Sequence, residues 1–177
     1  MSQTPTVLLT AAKFRVVEHV LPPKGERPEL RRQVVEHPGA VTIIPWVDGD
    51  RVCLVRNYRV AVGRTLIELP AGTLEPNEPP LETARRELQE ETGFTADRWR
   101  ELPAFFMSPG ILQERMHLFV AQGLTPGPPA REPGEEIDNL VVPWSEALSM
   151  AERGEIEDAK TLTGILLWER LRLVDSR

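Results

Sequence analysis

The sequence predicts a mixed β-sheet with helices packed on its faces. Two observations carry this expectation. Short stretches rich in β-branched residues, bounded by Pro, Gly or Asp, recur along the chain, and only three stretches have the length and periodicity of helices. A length of 177 residues suits one domain, or one domain with a small extension, and is enough to bury a sizeable core.

The elements follow in order. Residues 7–20 and 31–36 alternate weakly and predict two or three short strands, joined by the Pro-rich loop Leu21-Pro22-Pro23-Lys24-Gly25. After the punctuation of His37-Pro38-Gly39, residues 41–47 predict a strand. Asp48-Gly49-Asp50 turns the chain into a second, Arg51–Arg59. A third, residues 65–69, ends at Pro70-Ala71-Gly72. Residues 79–92 predict a helix: prolines are tolerated in its first turn, where N–H groups lack partners anyway, and Gly93 stops it. Strands are expected at 99–107, 116–122 and 137–144, with a Pro/Gly/Glu-rich loop at 125–136. Ser145 is placed to cap a helix to about residue 153. Asp158 is placed to cap a last one to about residue 173, with Leu162, Ile165, Leu166 and Leu173 facing inward.

The net charge of −6 is unevenly placed. Residues 1–60 carry nine Lys/Arg against six Asp/Glu, so the rest of the chain carries −9. Such a chain is a poor general binder of nucleic acid, and no strong basic stretch points to RNA. If it handles a phosphate compound, metal ions must mask its carboxylates while the basic N-terminal third meets the substrate's charge. Cys53 is the single cysteine and sits in the apolar run Val52-Cys53-Leu54-Val55, which reads as a buried core thiol and fits a reducing cytoplasm. No stretch approaches the ~20 apolar residues of a membrane span. The N-terminus lacks the charged start of a signal peptide.

The densest chemistry lies in residues 72–94, GTLEPNEPPLETARRELQEETGF. On a helical wheel with Glu87 at zero, Glu91 falls near +40° and Glu90 near −60°, while Ala84, Leu88 and Leu81 fall at about +60° to +120°. An acidic stripe therefore borders the apolar one, and the helix can pack on the sheet with its carboxylates lining a cleft. Arg86, at about −100°, can hold Glu78 or Glu82 in a charge-assisted bond. Like charges at Glu87 and Glu91 oppose each other unless a cation sits between them, and hard oxygen donors in this number suit Mg²⁺ or Mn²⁺. On these grounds alone, a solvated acidic face and a metal site both stay open.

Gly72, Glu78, Arg86, Glu87, Leu88, Glu90, Glu91, Gly93 and Phe94 match every fixed position of the Nudix box, and on them the chain resembles the Nudix hydrolases. The resemblance implies an α/β/α sandwich around a mixed central sheet, and hydrolysis of a nucleoside diphosphate linked to some other group. Met107-Ser108-Pro109-Gly110, Ile67-Glu68-Leu69-Pro70-Ala71-Gly72 and Asp158-Ala159-Lys160-Thr161 are similar to the ADP-ribose pyrophosphatase branch, with which hydrolases of GDP-mannose and other nucleotide sugars share much.

That branch implies the remaining expectations. The substrate is ADP-ribose, cleaved with water to AMP and ribose 5-phosphate; rivals are GDP-mannose hydrolysis and a Nudix-fold sensor that binds without cleaving. Two or three Mg²⁺ ions, replaceable by Mn²⁺, are held by Glu87, Glu90, Glu91 and the Ala71 carbonyl, beside a Gly72 that lets backbone and metal approach. Gly72, Glu78, Arg86 and Gly93 shape the motif. The base comes from the late loop, which holds Glu132, Glu135 and Glu136; Glu135 is favoured, with Glu136 second, alongside Glu91 in catalysis. Arg59 and Arg56 are expected to grip phosphate, and Ser108, Pro109 and Gly110 to contact substrate. Glu68 and Glu114 orient ribose or metal. His117 is expected to be an ordinary strand residue, and Trp144 and Trp168 core. Residues 1–37 form a small antiparallel β extension outside a Nudix domain of residues 38–177. The extension pairs two chains into a homodimer, or else covers a sheet edge of its own chain. In the dimer Arg31 or Arg32 would reach the partner's substrate and Phe14 would stack on adenine.

Overall fold

The computed structural model describes residues 4–131 and 136–175. Among these, fourteen elements follow one another: β1 Thr6–Thr10, β2 Arg15–Leu21, β3 Leu30–Glu36, β4 Ala40–Pro45, β5 Arg51–Arg59, β6 Arg64–Glu68, β7 Ala71–Thr73, α1 Pro80–Thr92, β8 Phe94–Phe106, β9 Leu112–Gln113, β10 Arg115–Pro126, β11 Ile137–Pro143, α2 Trp144–Glu152 and α3 Ala159–Asp175.

The strands make three sheets, ordered β1-β2-β3-β9, β7-β4-β10-β8 and β11-β5-β6. The middle sheet is mixed, since β4 runs parallel to β10 while β7 and β8 run antiparallel to their neighbours. Period-two alternation on β4 and β10 divides the core. Val41, Ile43, Phe119 and Ala121 pack against Ala84 and Leu88 of α1. Ile44, Leu118 and Val120 turn to the opposite face, where α2 and α3 bring Trp144, Ala147, Ile165 and Trp168. Helices thus cover both faces of a mixed sheet, an α/β/α sandwich. Trp144 and Trp168 are core residues, as expected.

The N-terminal sheet is antiparallel through β1, β2 and β3 and gains β9 in parallel from beyond residue 38. Its outer strand β1 exposes Val7, Leu8 and Leu9.

Several boundaries differ from the sequence reading. β8 starts at Phe94 rather than near residue 99, and β10 runs on to Pro126, because the two form one long antiparallel ribbon. Ser145 does not cap α2. The helix begins at Trp144, whose N–H donates to Asp50 O at 2.7 Å, and Pro143 occupies the N-cap. Leu166 and Leu173 lie exposed rather than inward; Ile165 and Trp168 supply the buried face of α3 instead. Asp158 does cap α3, accepting from Thr161 N at 3.0 Å and from Thr161 Oγ1 at 2.6 Å.

Candidate active site

The site begins where β6 hands the chain to β7 and then α1. Gly93 ends α1 in the left-handed region, φ 78°, and donates to Gln89 O at 2.9 Å. Three further groups satisfy the last-turn carbonyls. Ala130 N donates to Glu90 O at 2.9 Å, Arg131 Nε to Glu91 O at 3.1 Å, and Asn139 Nδ2 to Thr92 O at 2.8 Å. The helix is therefore fixed at its C-terminal end and along its buried stripe, which aims its carboxylates.

Glu87, Glu90 and Glu91 line one cavity of about 930 Å³ together with Ala71, Gly72, Asn57, Arg59 and Arg86. Arg86 sits among the acids: Nη1 donates to Glu87 Oε1 at 2.7 Å and to Glu90 Oε2 at 2.9 Å, while Nε and Nη2 reach Glu78 at 3.3 and 3.2 Å. Glu82 pairs with Arg85 instead. Burial opposes the charge of Arg86, yet Glu78, Glu87 and Glu90 more than offset it and hold the guanidinium firmly protonated. The same hydrogen bonds from Arg86 push Glu78 below its usual range. Glu91, only 4 % exposed, accepts from Ala71 N at 3.1 Å and so ties the helix to β7.

A Cβ on Gly72 would lie 1.9 Å from the Glu87 Cδ and Oε1 atoms. The Glu87 carboxylate thus occupies the space that any other residue at position 72 would fill. Among the described residues no group of three His, Cys, Asp or Glu side chains is gathered closely enough to be a finished metal cage. The donors nonetheless suit a hard divalent cation. Three carboxylates on one helix face meet a strand end stripped of its side chain, and one guanidinium bridges two of them, Glu87 and Glu90.

The other wall is cationic. Arg59 closes β5, and its Nε and Nη2 donate to Glu68 Oε1 and Oε2 at 2.7 and 2.5 Å. Glu68 is 1 % exposed and does not line the cavity; it orients Arg59 from beneath. Burial pushes the Glu68 carboxyl up, but Arg59 and Lys160 outweigh that and hold it below its ordinary value. The β1–β2 turn of the same chain closes the far side with Lys13, Phe14 and Arg15, beside Glu36 and His37.

Other expected residues lie away from this cavity. Arg56 is exposed on β5, opposite Asp138. Arg32 is exposed on β3, and Arg31 beside it pairs with Glu18 at 2.8 Å. Ser108, Pro109 and Gly110 form an exposed turn, in which Ser108 O accepts from Leu112 N at 2.8 Å. Glu114 faces His37 at 3.7 Å. His117 is a half-buried strand residue whose pKa burial lowers. Glu132 and Glu135 fall outside the described residues; Glu136 is exposed, and its carbonyl accepts from Tyr58 N at 3.3 Å. Sequence reasoning missed Lys13, His37 and Asn57 in the cavity wall and Arg131 and Asn139 on the carbonyls of α1, since each acts through contacts distant in sequence.

The NUDIX domain model matches residues 36–164. An ADP-ribose pyrophosphatase of Bacillus subtilis (strain 168) is 39% identical over 151 residues, 84% of this chain and 80% of that protein. A methanol dehydrogenase activator of Bacillus methanolicus is 36% identical with the same coverage. A GDP-mannose pyrophosphatase of Shigella dysenteriae serotype 1 (strain Sd197) is 33% identical over 162 residues, 85% of this chain and 84% of that protein. A crystal structure of an ADP compounds hydrolase superposes with a TM-score of 0.82, covering 99% of this chain and 97% of that one at 24% identity, a likeness of fold.

Proposed function

This chain belongs to the NUDIX family, and from that premise we propose that it hydrolyses the diphosphate bond of ADP-ribose, giving AMP and ribose 5-phosphate. The observation that carries the reading is the convergence of Glu87, Glu90, Glu91, the Gly72 cradle and Arg59 on one cavity large enough for a dinucleotide-sized ligand. The 39% identical ADP-ribose pyrophosphatase supports the choice of substrate. GDP-mannose is the second reading, favoured by the 33% identical pyrophosphatase of that compound.

Glu87, Glu90, Glu91 and the Ala71 carbonyl would hold two or three Mg²⁺ ions, for which Mn²⁺ could substitute, and these would supply charge neutralisation for the diphosphate and acidification of a water. The chain's own residues do the rest. Arg59 uses its Nε/Nη2 side on Glu68, which leaves the Nη1–Nη2 edge to hold two phosphate oxygens. Arg86 holds Glu87 and Glu90 aligned through two hydrogen bonds from Nη1. Lys13 adds charge from the opposite wall. Water adds to one phosphorus, the bridging P–O bond breaks, and the proton lost by the water passes to a late-loop carboxylate, Glu135 in preference to Glu136. Arg56, Glu114 and the Ser108–Gly110 turn belong to the same proposal as substrate contacts made on binding, as does Arg32 if a second copy brings it to the site.

The experiment is a screen of nucleoside diphosphate compounds with Mg²⁺ and identification of products. AMP and ribose 5-phosphate from ADP-ribose, abolished by chelation and restored by Mg²⁺, are expected; preferential release of GMP from GDP-mannose would reassign the substrate. Glu135→Gln should slow turnover more than Glu136→Gln, and the reverse ranking moves the base by one residue.

Two further parts complete the proposal. Residues 1–37 form a β extension that pairs two chains, supported by the apolar, exposed edge strand β1; light scattering at twice the monomer mass is expected. The setting is the cytoplasm, supported by the single buried thiol Cys53, whose pKa burial raises to about 12; cell fractionation tests it. No described helix is long and apolar enough to cross a membrane.

A further inference from the structure

Glu68 ends β6 with its side chain 1 % exposed. A carboxylate that deep is tolerable only when paired. Two cations share it, and both reach its Oε2 atom. Arg59 approaches side-on from the cavity, and Lys160 Nζ donates to Glu68 Oε2 at 2.5 Å from the start of α3. Lys160 is itself 6 % exposed and contacts Asp158 Oδ2 at 3.0 Å. That same oxygen caps α3 through Thr161 N, and Thr161 Oγ1 accepts from Leu69 N at 2.8 Å. Two anions and two cations therefore balance in a unit joining the first turn of α3 to the end of β6. Of its four charged members, only Arg59 reaches the cavity wall.

We propose that Lys160 is a positioning residue for substrate binding: it holds Glu68 in place from below, so that Glu68 clamps Arg59 side-on and leaves the guanidinium's Nη1–Nη2 edge for the diphosphate. The inference rests on the reading that Arg59 contacts substrate. Its logic is electrostatic. Without Lys160, the buried Glu68 and the half-buried Asp158 become neighbouring anions that both draw on Arg59, and Asp158 already acts on Arg59 through space. Arg59 is then drawn inward between them and away from the ligand. A lysine 92 residues from Glu68, with no access to the cavity, thereby sets affinity for a substrate it never touches.

The test is a double-mutant cycle on the full chain with ADP-ribose and Mg²⁺, reading KM, kcat and melting temperature. Arg59→Ala and Lys160→Met should each raise KM about tenfold or more, the scale of a lost hydrogen bond to a charged group. In both, kcat should change far less than KM. In the Arg59→Ala background Lys160→Met should add almost nothing, since its effect runs through Arg59. Lys160→Arg should return KM to within about threefold of wild type, since it restores the charge that Glu68 needs. An unchanged KM in Lys160→Met, or an undiminished effect in the Arg59→Ala background, overturns the inference while leaving Arg59 as a substrate contact. An unchanged KM in Arg59→Ala overturns the contact itself, and the inference with it. Should Lys160→Met not fold, Lys160→Gln keeps a donor for Glu68 without the charge. A rise in its KM that disappears in the Arg59→Ala background supports the inference, and no rise overturns it.

Discussion

Gly72→Ala separates the demands of the fold from those of the site. The backbone at Gly72 has no positive φ, so alanine meets no conformational penalty there. What it meets is Glu87: the new Cβ would lie 1.9 Å from Cδ and Oε1 and 2.4 Å from Oε2, where ordinary contact starts at 3.4 Å. The carboxylate must therefore retreat by about 1.5 Å to restore contact. It stands at the end of a flexible side chain and its partner Arg86 is also bound to Glu78 and Glu90, so the retreat strains little. We expect a loss of stability of no more than about 1 kcal/mol, in the range of ordinary single substitutions. For activity, displacing a group by ~1 Å costs on the order of 10²-fold. Steady-state hydrolysis of ADP-ribose gives kcat/KM, and urea unfolding gives the stability. Wild-type turnover in a folded Gly72→Ala enzyme would falsify the assignment of Glu87 to the site. Collapse of the fold would show instead that the tight approach serves packing.

The other predictions divide along the same line. Gly93→Ala should behave oppositely, because its Cβ would strike the backbone atom Gly127 O at 2.3 Å and φ is +78°; a loss of about 2 kcal/mol or more is expected in urea unfolding. Glu91→Gln should lower kcat by 10² or more, on the order of a lost metal ligand, with circular dichroism unchanged. Glu68, held below its usual 4.5, contributes stability that is complete above that value and is lost as pH falls through its lower folded value. Melting curves from pH 7 to pH 3 should therefore show the gap between wild type and Glu68→Gln narrowing on acidification, and a widening gap would contradict the sign.

The parts of this molecule legible in the sequence are those written locally. The carboxylate stripe of α1, the Gly93 stop and the Asp158 cap each depend on residues within one or two turns, so spacing alone places them. The mixed sheet was legible too, from β-branched runs between turn residues. What the chain hid was tertiary. β7 and β9 are three and two residues long and exist only through their pairing with β4 and β3. The first half of β8 sets the half-buried Phe94, Ala96 and Trp99 among the exposed Thr95, Asp97, Arg98 and Arg100, an interrupted pattern that its pairing with β10 resolves. On α3, Leu166 and Leu173 were assigned inward by hydrophobicity, but Trp168 takes the buried side. In the site, Asp158-Ala159-Lys160-Thr161 was visible as a short motif, yet its meaning lies in Glu68, which no local pattern links to it. The same holds for Asn139, whose amide serves Thr92 across 47 residues.

The placement of the acidic stripe is itself an argument about purpose. Glu87, Glu90 and Glu91 stand in the last turns of α1, beside the negative end of its macrodipole, and that last turn has no basic residue of its own. Each carboxylate there opposes the helix by roughly 0.3–1 kcal/mol, and like charges at i and i+4 add a few tenths. A helix chosen for stability alone would carry lysine or arginine in those positions. This one keeps the acids and adds restraints: from outside the helix Arg131 on the Glu91 carbonyl and Asn139 on the Thr92 carbonyl, and from the helix itself Arg86 across Glu78, Glu87 and Glu90. These bonds restrain the carboxylates without matching their charge, because one guanidinium serves three of them. Local rules broken in one place, with compensation assembled around it, mark a site kept for chemistry rather than for folding. A divalent cation is the partner that the surplus negative charge would bind, and binding it should raise the melting temperature of the wild type by more than that of Glu91→Gln.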